Sequence, residues 1–285
     1  MKYGYYPGCS LHSTGREYDL STRAVLGRLG LEVEELKGWN CCGATSAHST
    51  SDFLALALPM RNLALAEAQG RDLLAPCAAC YSGLRQAAAA LEAGEGRALV
   101  AEEEQRRITG RPFTGRVRAR HPLEVLSVPD AVAGLKRAVR RPLKGLKVAA
   151  YYGCLLVRPP RAAAFEDPEQ PRSMERLLSA AGAEPVEWSY RTDCCGAGLA
   201  FSRPALVGEL CSRLRVEARR AGAEALSTAC PLCQTNLESR GAEGRLPVFY
   251  FTELLGLALD LGGRGSWFRR HLVSPRPLLS RLGLG

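Results

Sequence analysis

The sequence repeats one arrangement of cysteines, and this repeat constrains the fold more than any other feature. In each copy a single cysteine is followed by a vicinal Cys-Cys-Gly motif and then by a Cys-x-x-Cys motif. The last two motifs are separated by 34 residues in both copies, whereas 31 residues precede the vicinal pair in the first copy and 39 in the second. We name the two copies the first cysteine set, Cys9, Cys41, Cys42, Cys77 and Cys80, and the second cysteine set, Cys154, Cys194, Cys195, Cys230 and Cys233.

Apolar periodicity predicts alternating strands and helices in both copies. The predicted strands cover residues 2–6, 33–36 and 72–75, and then 147–152, 185–188 and 225–228. The predicted helices cover residues 20–29, 53–69, 174–181 and 204–221. This alternation predicts an α/β fold of two tandem Rossmann-like halves with parallel sheets, related by internal duplication. All ten repeated cysteines then follow strands, at the sheet edge where such folds bind ligands.

We place the boundary between the two halves close to residue 144. Residues 1–144 form the first Cys-Cys-Gly domain, which ends in linker material with a predicted helix over 125–140. Residues 145–285 form the second Cys-Cys-Gly domain, which ends in a basic tail. The longer spacing in the second copy adds eight residues to a proline-rich stretch, which is predicted to be a loop beside Cys154.

Composition and charge exclude several classes of protein. Hydrophobic residues at 46% and charged residues at 24% are typical of an ordinary globular protein. No stretch is apolar and long enough to cross a bilayer, and the N-terminal segment lacks the apolar core of a secretory signal. We therefore expect no membrane span and a cytoplasmic protein, peripheral to a membrane only through a partner. The net charge of +9 is diffuse and its basic blocks lack interleaved aromatic residues, so no nucleic-acid partner is expected.

In a reducing compartment, this many cysteines indicate metal ligands or catalytic thiols. Structural zinc uses four ligands and would leave one cysteine of each set unused, and a thioredoxin-like dithiol would leave three unused. A multi-iron cluster can use all five thiolates, so the sets favour iron–sulfur clusters, with zinc at one site as an open alternative. Cys211 lies outside the repeat at the position of Leu58, and it is predicted to be a small core residue.

Four segments carry a resemblance to a known family: Tyr6-Pro7-Gly8-Cys9-Ser10, Pro76-Cys77-Ala78-Ala79-Cys80-Tyr81, Tyr151-Tyr152-Gly153-Cys154-Leu155-Leu156-Val157-Arg158-Pro159-Pro160, and Cys230-Pro231-Leu232-Cys233-Gln234-Thr235-Asn236-Leu237. Through them, nearly the whole chain resembles the B subunit of heterodisulfide reductase, in the family with paired Cys-Cys-Gly domains. The resemblance implies that each cysteine set holds one noncubane [4Fe-4S] cluster. It also implies a cleft between the halves where the two clusters reduce a disulfide.

The resemblance implies that the chain is an oxidoreductase subunit that reduces a small-molecule or protein disulfide to two thiols. The sequence has no Gly-x-Gly-x-x-Gly motif for a dinucleotide, so electrons are expected from a separate protein. The expected partner is an iron–sulfur C-type subunit, with or without a flavoprotein behind it. The alternative is an electron-transfer subunit of a succinate, lactate or glycolate dehydrogenase complex linked to a quinone, without disulfide chemistry. A zinc-bound scaffold is a third class.

Five side chains are candidates for roles at the substrate. If the two clusters act together on one disulfide, Cys42 and Cys195, one from each vicinal pair, are candidate catalytic residues. His48 follows the first pair and is a candidate proton donor to a departing thiolate, since imidazoles titrate near neutrality. Arg158 and Arg161 lie in the inserted loop and are candidates to bind an acidic group of the substrate by paired hydrogen bonds.

Overall fold

Each half of the chain contains one four-stranded sheet whose strands all run parallel. The structure is a computed structural model, and it describes residues 2–44, 47–163 and 165–285. The sheets have the same strand order, in which the first strand of the half lies between the second and the third, and the fourth lies at the edge beyond the third. The chain is therefore an α/β protein whose two Rossmann-like halves fit an internal duplication.

The elements of the first half alternate between strands and helices. They are β1 (Lys2–Tyr5), α1 (Gly8–Leu11), α2 (Arg16–Arg28), β2 (Glu32–Glu35), α3 (Ala47–Thr50), α4 (Asp52–Ala68), β3 (Leu73–Leu74), α5 (Ala78–Glu92), α6 (Gly96–Thr109), β4 (Ala119–Arg120), α7 (Pro122–Leu126) and α8 (Pro129–Ala138). The helix α4 begins one residue before the predicted start at residue 53, and the Ser51 hydroxyl caps its first turn by accepting a hydrogen bond from the Leu54 N–H at 3.3 Å.

The second half alternates strands and helices in the same way, but it has one helix between its third and fourth strands where the first half has two. Its elements are β5 (Lys147–Tyr151), α9 (Pro160–Ala163), α10 (Ser173–Ala180), β6 (Glu184–Pro185), a 3-10 turn (Ala197–Leu199), α11 (Pro204–Arg220), β7 (Ala225–Thr228), α12 (Pro231–Ser239), β8 (Val248–Tyr250), α13 (Phe251–Ala258), α14 (Arg264–Phe268) and α15 (Arg276–Arg281). The strand β7 has the predicted bounds, whereas β6 covers residues 184–185 instead of 185–188.

Sequence analysis missed the fourth strand of each sheet. The strand β4 has two residues and no cysteine motif after it, whereas the equally short β3 and β6 each precede a repeated motif that marks their place. The strand β8 has three residues and runs directly into the apolar helix α13, so its sequence pattern cannot be told from that of a buried helix. Both strands extend their sheets by pairing with the third strand, β3 or β7.

The linker contains two helices instead of the single helix predicted over residues 125–140. The first, α7, ends at Leu126, and the second, α8, begins at Pro129. The break has a steric reason, because a proline disfavours helical geometry in the residue before it and is favoured in the first turn of a new helix. The domain boundary near residue 144 stays a prediction.

The two halves pack against each other through α2 and α13. The rings of Tyr18 and Tyr250 stack with a centroid distance of 4.2 Å and an interplanar angle of 2°. Beside them the buried hydroxyls of Ser21 and Thr252 lie 2.7 Å apart in a hydrogen bond between the halves. One cluster of buried apolar side chains continues through both halves. In the described parts of the chain, every helix is too short or too polar to cross a membrane.

Candidate metal centres

Each cysteine set gathers at the carboxyl ends of three neighbouring strands. In the first half, Cys9 follows β1, the Cys41-Cys42 pair lies in the loop after β2, and Cys77 and Cys80 lie at the start of α5 beyond β3. The second half repeats this placement after β5, β6 and β7, with its Cys-x-x-Cys motif at the start of α12. The strand order puts β1 and β5 at the centre of these arrangements, so the members of each set converge.

The thiols of the first set lie within contact distance of one another. Cys42 Sγ is 3.2 Å from Cys80 Sγ, and Cys41 Sγ is 4.0 Å from Cys9 Sγ. Hydrogen bonds from Cys41 and then Cys80 lower the pKa of the Cys42 thiol to about 3. The set thus contains a thiol that favours the thiolate form, which is the form that binds soft metals.

The second set has matching geometry. Cys195 Sγ is 3.4 Å from Cys233 Sγ, the counterpart of the contact in the first set. A hydrogen bond with Cys154 lowers the pKa of Cys194 to about 6. The backbone N–H of Gly196 also donates to Cys194 Sγ at 3.3 Å, as a backbone N–H does to the equivalent thiol of the first half. Both sets therefore supply thiolate-stabilising contacts.

A glycine in each half makes room for a thiol of the Cys-x-x-Cys motif. Gly8 has a φ of +64°, and a Cβ added there would lie 2.9 Å from Cys80 Sγ. Gly153 has a φ of +66°, and a Cβ there would lie 3.2 Å from Cys233 Sγ. A side chain at either position would occupy the space that the sulfur needs and would strain the backbone.

Each set has buried members and an outer edge. Six of the ten thiols are buried, whereas Cys9 and Cys41 of the first set and Cys194 of the second are exposed, and Cys154 is partly exposed. The two exposed members of the first set correspond in the repeat to Cys154 and Cys194. A molecule outside the protein can therefore reach each site at the equivalent outer edge.

The two sets adjoin at the centre of the protein. Cys77 and Cys230 come from opposite halves, and their thiols lie close enough for each to shift the pKa of the other. The Cys230 thiol raises the pKa of Cys77 well above its ordinary value, while the thiols of Cys233 and then Cys77 hold the pKa of Cys230 well below it. The two candidate centres are therefore neighbours across the interface between the halves.

Two cavities lie beside the cysteine sets. All five thiols of the second set line a cavity of about 220 Å³, and Cys42 lines a second cavity of about 230 Å³. Among the described residues, four line both cavities and so lie between them: Ala44, His48, Ala79 and Leu155. Because Leu155 belongs to the second half and the other three to the first, the two cavities belong to one cleft between the halves.

The donor chemistry of the sites fits iron–sulfur clusters. Five thiols surround one cavity in the second half, and the first half has the equivalent five cysteines. Within the part of the chain that is described, no group of three or more His, Cys, Asp and Glu is arranged to hold a single metal ion. The fit therefore rests on the number and softness of the sulfur donors and on the space that Gly8 and Gly153 leave.

The other candidate residues lie in different places. His48 is exposed on α3 and lines both cavities, next to the cysteine sets. Arg158 forms an ion pair with Glu169 at 2.7 Å and donates a hydrogen bond to the Thr192 carbonyl at 3.1 Å. Arg161 is exposed on α9. Among the described residues that line the two cavities, neither arginine is present.

Sequence analysis missed two tyrosines that support the vicinal pairs. The hydroxyl of Tyr6 donates to the carbonyl of Asn40 at 2.8 Å, just before the first pair. The hydroxyl of Tyr151 donates to the carbonyl of Asp193 at 2.7 Å, just before the second pair. Both tyrosines stand three residues before the single cysteine of their copy, Cys9 or Cys154, so their positions in the repeat are equivalent.

Sequence analysis also missed His121 and Asn236. The amide of Asn236 donates to the Cys195 carbonyl at 3.1 Å, although its counterpart in the first copy is Gly83. His121 is fully buried, and burial lowers its pKa to about 4. In the sequence, His121 is marked only by the proline that follows it in the predicted linker. That pattern does not indicate its distant partners, the carbonyls of Pro76 and Ala229.

Comparisons with known proteins agree with a duplicated α/β protein that carries paired thiol-rich centres. The family model named cysteine-rich domain (CCG) matches residues 3–85 and 148–238, which contain the two cysteine sets. The crystal structure of a hypothetical protein from Helicobacter pylori has the same fold, with a TM-score of 0.75, 13% identity and coverage of 95% of this chain. This chain spans about half, 51%, of that protein.

Two curated relatives match over nearly their whole length. The chain is 31% identical to the 8-methylmenaquinol:fumarate reductase membrane anchor subunit of Wolinella succinogenes, over 97% of this chain and 99% of the relative. It is 30% identical to the B subunit of the ferredoxin/F(420)H(2)-dependent CoB-CoM heterodisulfide reductase of Methanosarcina acetivorans, over 90% of this chain and 89% of the relative. The chain belongs to the cysteine-rich domain family, and its resemblance to the B subunit of heterodisulfide reductase is confirmed.

Proposed function

We propose that this chain is the iron–sulfur catalytic subunit of a heterodisulfide-reductase-like complex, with one noncubane [4Fe-4S] cluster held by each cysteine set. The observation that carries the proposal is the pair of equivalent five-thiol sets, which adjoin at Cys77 and Cys230 and lie on one cleft. The names of the relatives support a role in iron–sulfur electron transfer within an oxidoreductase complex.

The proposed reaction reduces a disulfide to two thiols. One S–S bond breaks, two S–H bonds form, and two electrons and two protons are taken up. When bound, the clusters supply the electrons, which come from an iron–sulfur C-type partner subunit with or without a flavoprotein behind it. Two equivalent sites on one cleft suit a substrate that has two equivalent sulfur atoms, since each sulfur can lie against one site.

The side chains of the cleft have distinct proposed roles. Ala44, Ala79 and Leu155 are apolar and exclude water from the space between the two sites. His48 lies at the same boundary and donates a proton to a departing thiolate. Arg158 and Arg161 bind an acidic group of the substrate outside the two cavities. For Arg158 this requires that the substrate displace Glu169, its present partner.

The alternative function is electron transfer without disulfide chemistry, in a complex that connects a dehydrogenase to a quinone or another carrier. The match to a fumarate reductase membrane anchor subunit favours it. The outer edges of the two sites at Cys9 and Cys194 would then serve as entry and exit points for electrons. In either case we propose a cytoplasmic protein that approaches a membrane through a partner.

Separate Cys42→Ala and Cys195→Ala variants test the proposed function. Each variant is purified without oxygen, and iron content and electron paramagnetic resonance establish that the cluster of the other half survives. Thiol formation is then measured with reduced viologen as donor and a panel of small disulfides as acceptors. Paired cleavage predicts that either change abolishes thiol formation to a similar degree, because residues that act as one unit lose activity together.

Cys211→Ala is the matched control, because this buried cysteine lies outside both sets. It should retain full iron content and full thiol formation. A Cys42→Ala or Cys195→Ala variant that forms thiols at a substantial rate with one cluster missing would refute paired cleavage. Reduction of a soluble quinone by that variant would then favour the electron-transfer function.

A further inference from the structure

His121 connects the two halves at the point where the cysteine sets meet. It follows β4 in the first half, and its ring is fully buried. Nε2 lies 2.6 Å from the carbonyl oxygen of Pro76 and 3.2 Å from the carbonyl oxygen of Ala229. One imidazole nitrogen thus contacts the backbone of both halves.

The hydrogen bonds of the ring define its tautomer. The backbone N–H of Leu123 donates to Nδ1 at 3.1 Å, so Nδ1 is an acceptor and carries no proton. The proton of the neutral ring is then on Nε2, which donates to both carbonyl oxygens in a bifurcated hydrogen bond. His121 also caps the first turn of α7 through this Nδ1 contact, which fixes the ring in place.

The two carbonyls occupy equivalent positions in the repeat. Pro76 immediately precedes Cys77, and Ala229 immediately precedes Cys230. The bifurcated bond therefore fixes the distance between the two Cys-x-x-Cys motifs at their first cysteines. The hydroxyl of Tyr18 donates to the Ala229 carbonyl as well, at 3.4 Å, so the first half holds this loop of the second half from two sides.

We propose that His121 is a positioning residue that holds the two Cys-x-x-Cys motifs at a fixed spacing, keeps Cys77 and Cys230 close together, and so sets the coupling between the two metal centres. The part of this inference that concerns coupling rests on the proposed function, in which both centres carry clusters. The part that concerns the spacing of the two motifs does not.

Among the described residues, the second half has no equivalent bridge. By sheet register, Tyr250, the last residue of β8, takes the position that His121 takes directly after β4. Its hydroxyl is buried and has no hydrogen-bond partner among the described residues, and its ring stacks on Tyr18 instead. Tyr18 bonds to one of the two Cys-x-x-Cys loops, whereas His121 bonds to both, so loss of His121 should affect both sites.

The test uses His121→Asn and His121→Gln. An Asn amide reaches the position of Nδ1 and retains the cap on α7, but it cannot reach the two carbonyls. A Gln amide nitrogen reaches the position of Nε2 and can donate to them, so it should restore the bridge. Ser21→Ala is the matched control, because it removes another buried hydrogen bond between the halves, with Thr252, without touching a cysteine loop.

The first measurement uses metal-free protein. Diamide oxidises neighbouring thiols to disulfides, and mass spectrometry of peptides gives the yield of the Cys77–Cys230 cross-link relative to Cys42–Cys80. The Cys42–Cys80 pair lies within one half and serves as an internal standard. His121→Asn should lower this ratio about fivefold, the effect of losing one buried hydrogen bond. His121→Gln should restore most of it, and Ser21→Ala should leave it unchanged.

The second measurement uses the loaded protein. The magnetic interaction between the clusters, read as line broadening in electron paramagnetic resonance, should fall in His121→Asn while iron content stays at the wild-type level. A wild-type cross-link ratio in His121→Asn would overturn the inference, and so would unchanged broadening with both clusters present. If the wild-type protein binds zinc and no iron, the proposed function fails, and a lowered cross-link ratio in His121→Asn still upholds the positioning role.

Discussion

Replacement of Gly8 by alanine tests whether the space beside Cys80 belongs to a metal centre. Gly8 has a φ of +64°, a conformation that costs a residue with a Cβ about 1–2 kcal/mol. The added Cβ would also lie 2.9 Å from Cys80 Sγ and 3.6 Å from Cε1 of Tyr6, and such overpacking costs about 1–3 kcal/mol. Gly8→Ala should therefore lower the free energy of unfolding of the metal-free protein by about 2–5 kcal/mol.

The same substitution should remove the cluster of the first half. The sulfur of Cys80 has to move away from the new methyl group, and a displaced thiolate cannot complete the ligand set. Chemical denaturation measures the stability of the metal-free protein, and iron analysis of the loaded protein should give half the wild-type content. The signal of the second centre should persist in paramagnetic resonance.

Gly110→Ala separates backbone strain from crowding at the thiol. Gly110 has a φ of +67°, and no heavy atom lies within 4 Å of a Cβ added there. It should lower stability by about 1–2 kcal/mol from strain alone and leave iron content unchanged. Full iron content in Gly8→Ala would contradict the reasoning, since it would mean that Cys80 can move without loss of the first centre.

Three further outcomes are expected. Cys211→Ala should retain full iron content and lower the free energy of unfolding by about 1 kcal/mol, because it removes a fully buried sulfur; loss of a cluster would show that the ligand assignment is wrong. Although burial alone lowers the pKa of His271, the carboxylates of Glu253 and Glu238 raise it to about 10, above the value of about 6.5 in the unfolded chain. The stability that this ion pair contributes is thus complete below about pH 6.5 and is lost as pH rises through 10. The melting temperature should therefore fall over this pH range, and it should fall less in His271→Gln. An equal dependence of melting temperature on pH in the two proteins would exclude the pairing. The purified chain should show no turnover with NADH or NADPH and should regain it with reduced viologen, and robust NADH-dependent activity would contradict a subunit that depends on a partner.

The repeat was sufficient to predict the architecture of the protein. The spacing of the cysteines shows two copies, and the strands before them are long enough in most cases to show a buried apolar pattern. The carboxyl ends of parallel strands then have to meet, so the grouping of each cysteine set follows without knowledge of side-chain positions. The fourth strands were missed because they are short and no cysteine motif follows them, whereas the equally short β3 and β6 each precede a repeated motif.

Contacts between the halves could not be predicted in this way. His121 meets the Ala229 carbonyl across 108 residues, and no local pattern encodes such a contact. The adjoining thiols of Cys77 and Cys230 depend on how the two sheets pack, which the repeat leaves undetermined. The ion pair of Arg158 with Glu169 could not be predicted either, because the sequence marked Arg158 only as a candidate to bind an acidic group of the substrate.

Metal and sulfide analysis of protein purified without oxygen tests the central claim most directly. Two four-iron clusters predict about eight iron and about eight acid-labile sulfide atoms per chain, with no zinc. Cys42→Ala and Cys195→Ala should each lower the iron content to about half of this value, because each belongs to a different set. A content of about two zinc atoms per chain without iron or sulfide would contradict the account, since it would leave both cysteine sets as structural zinc sites.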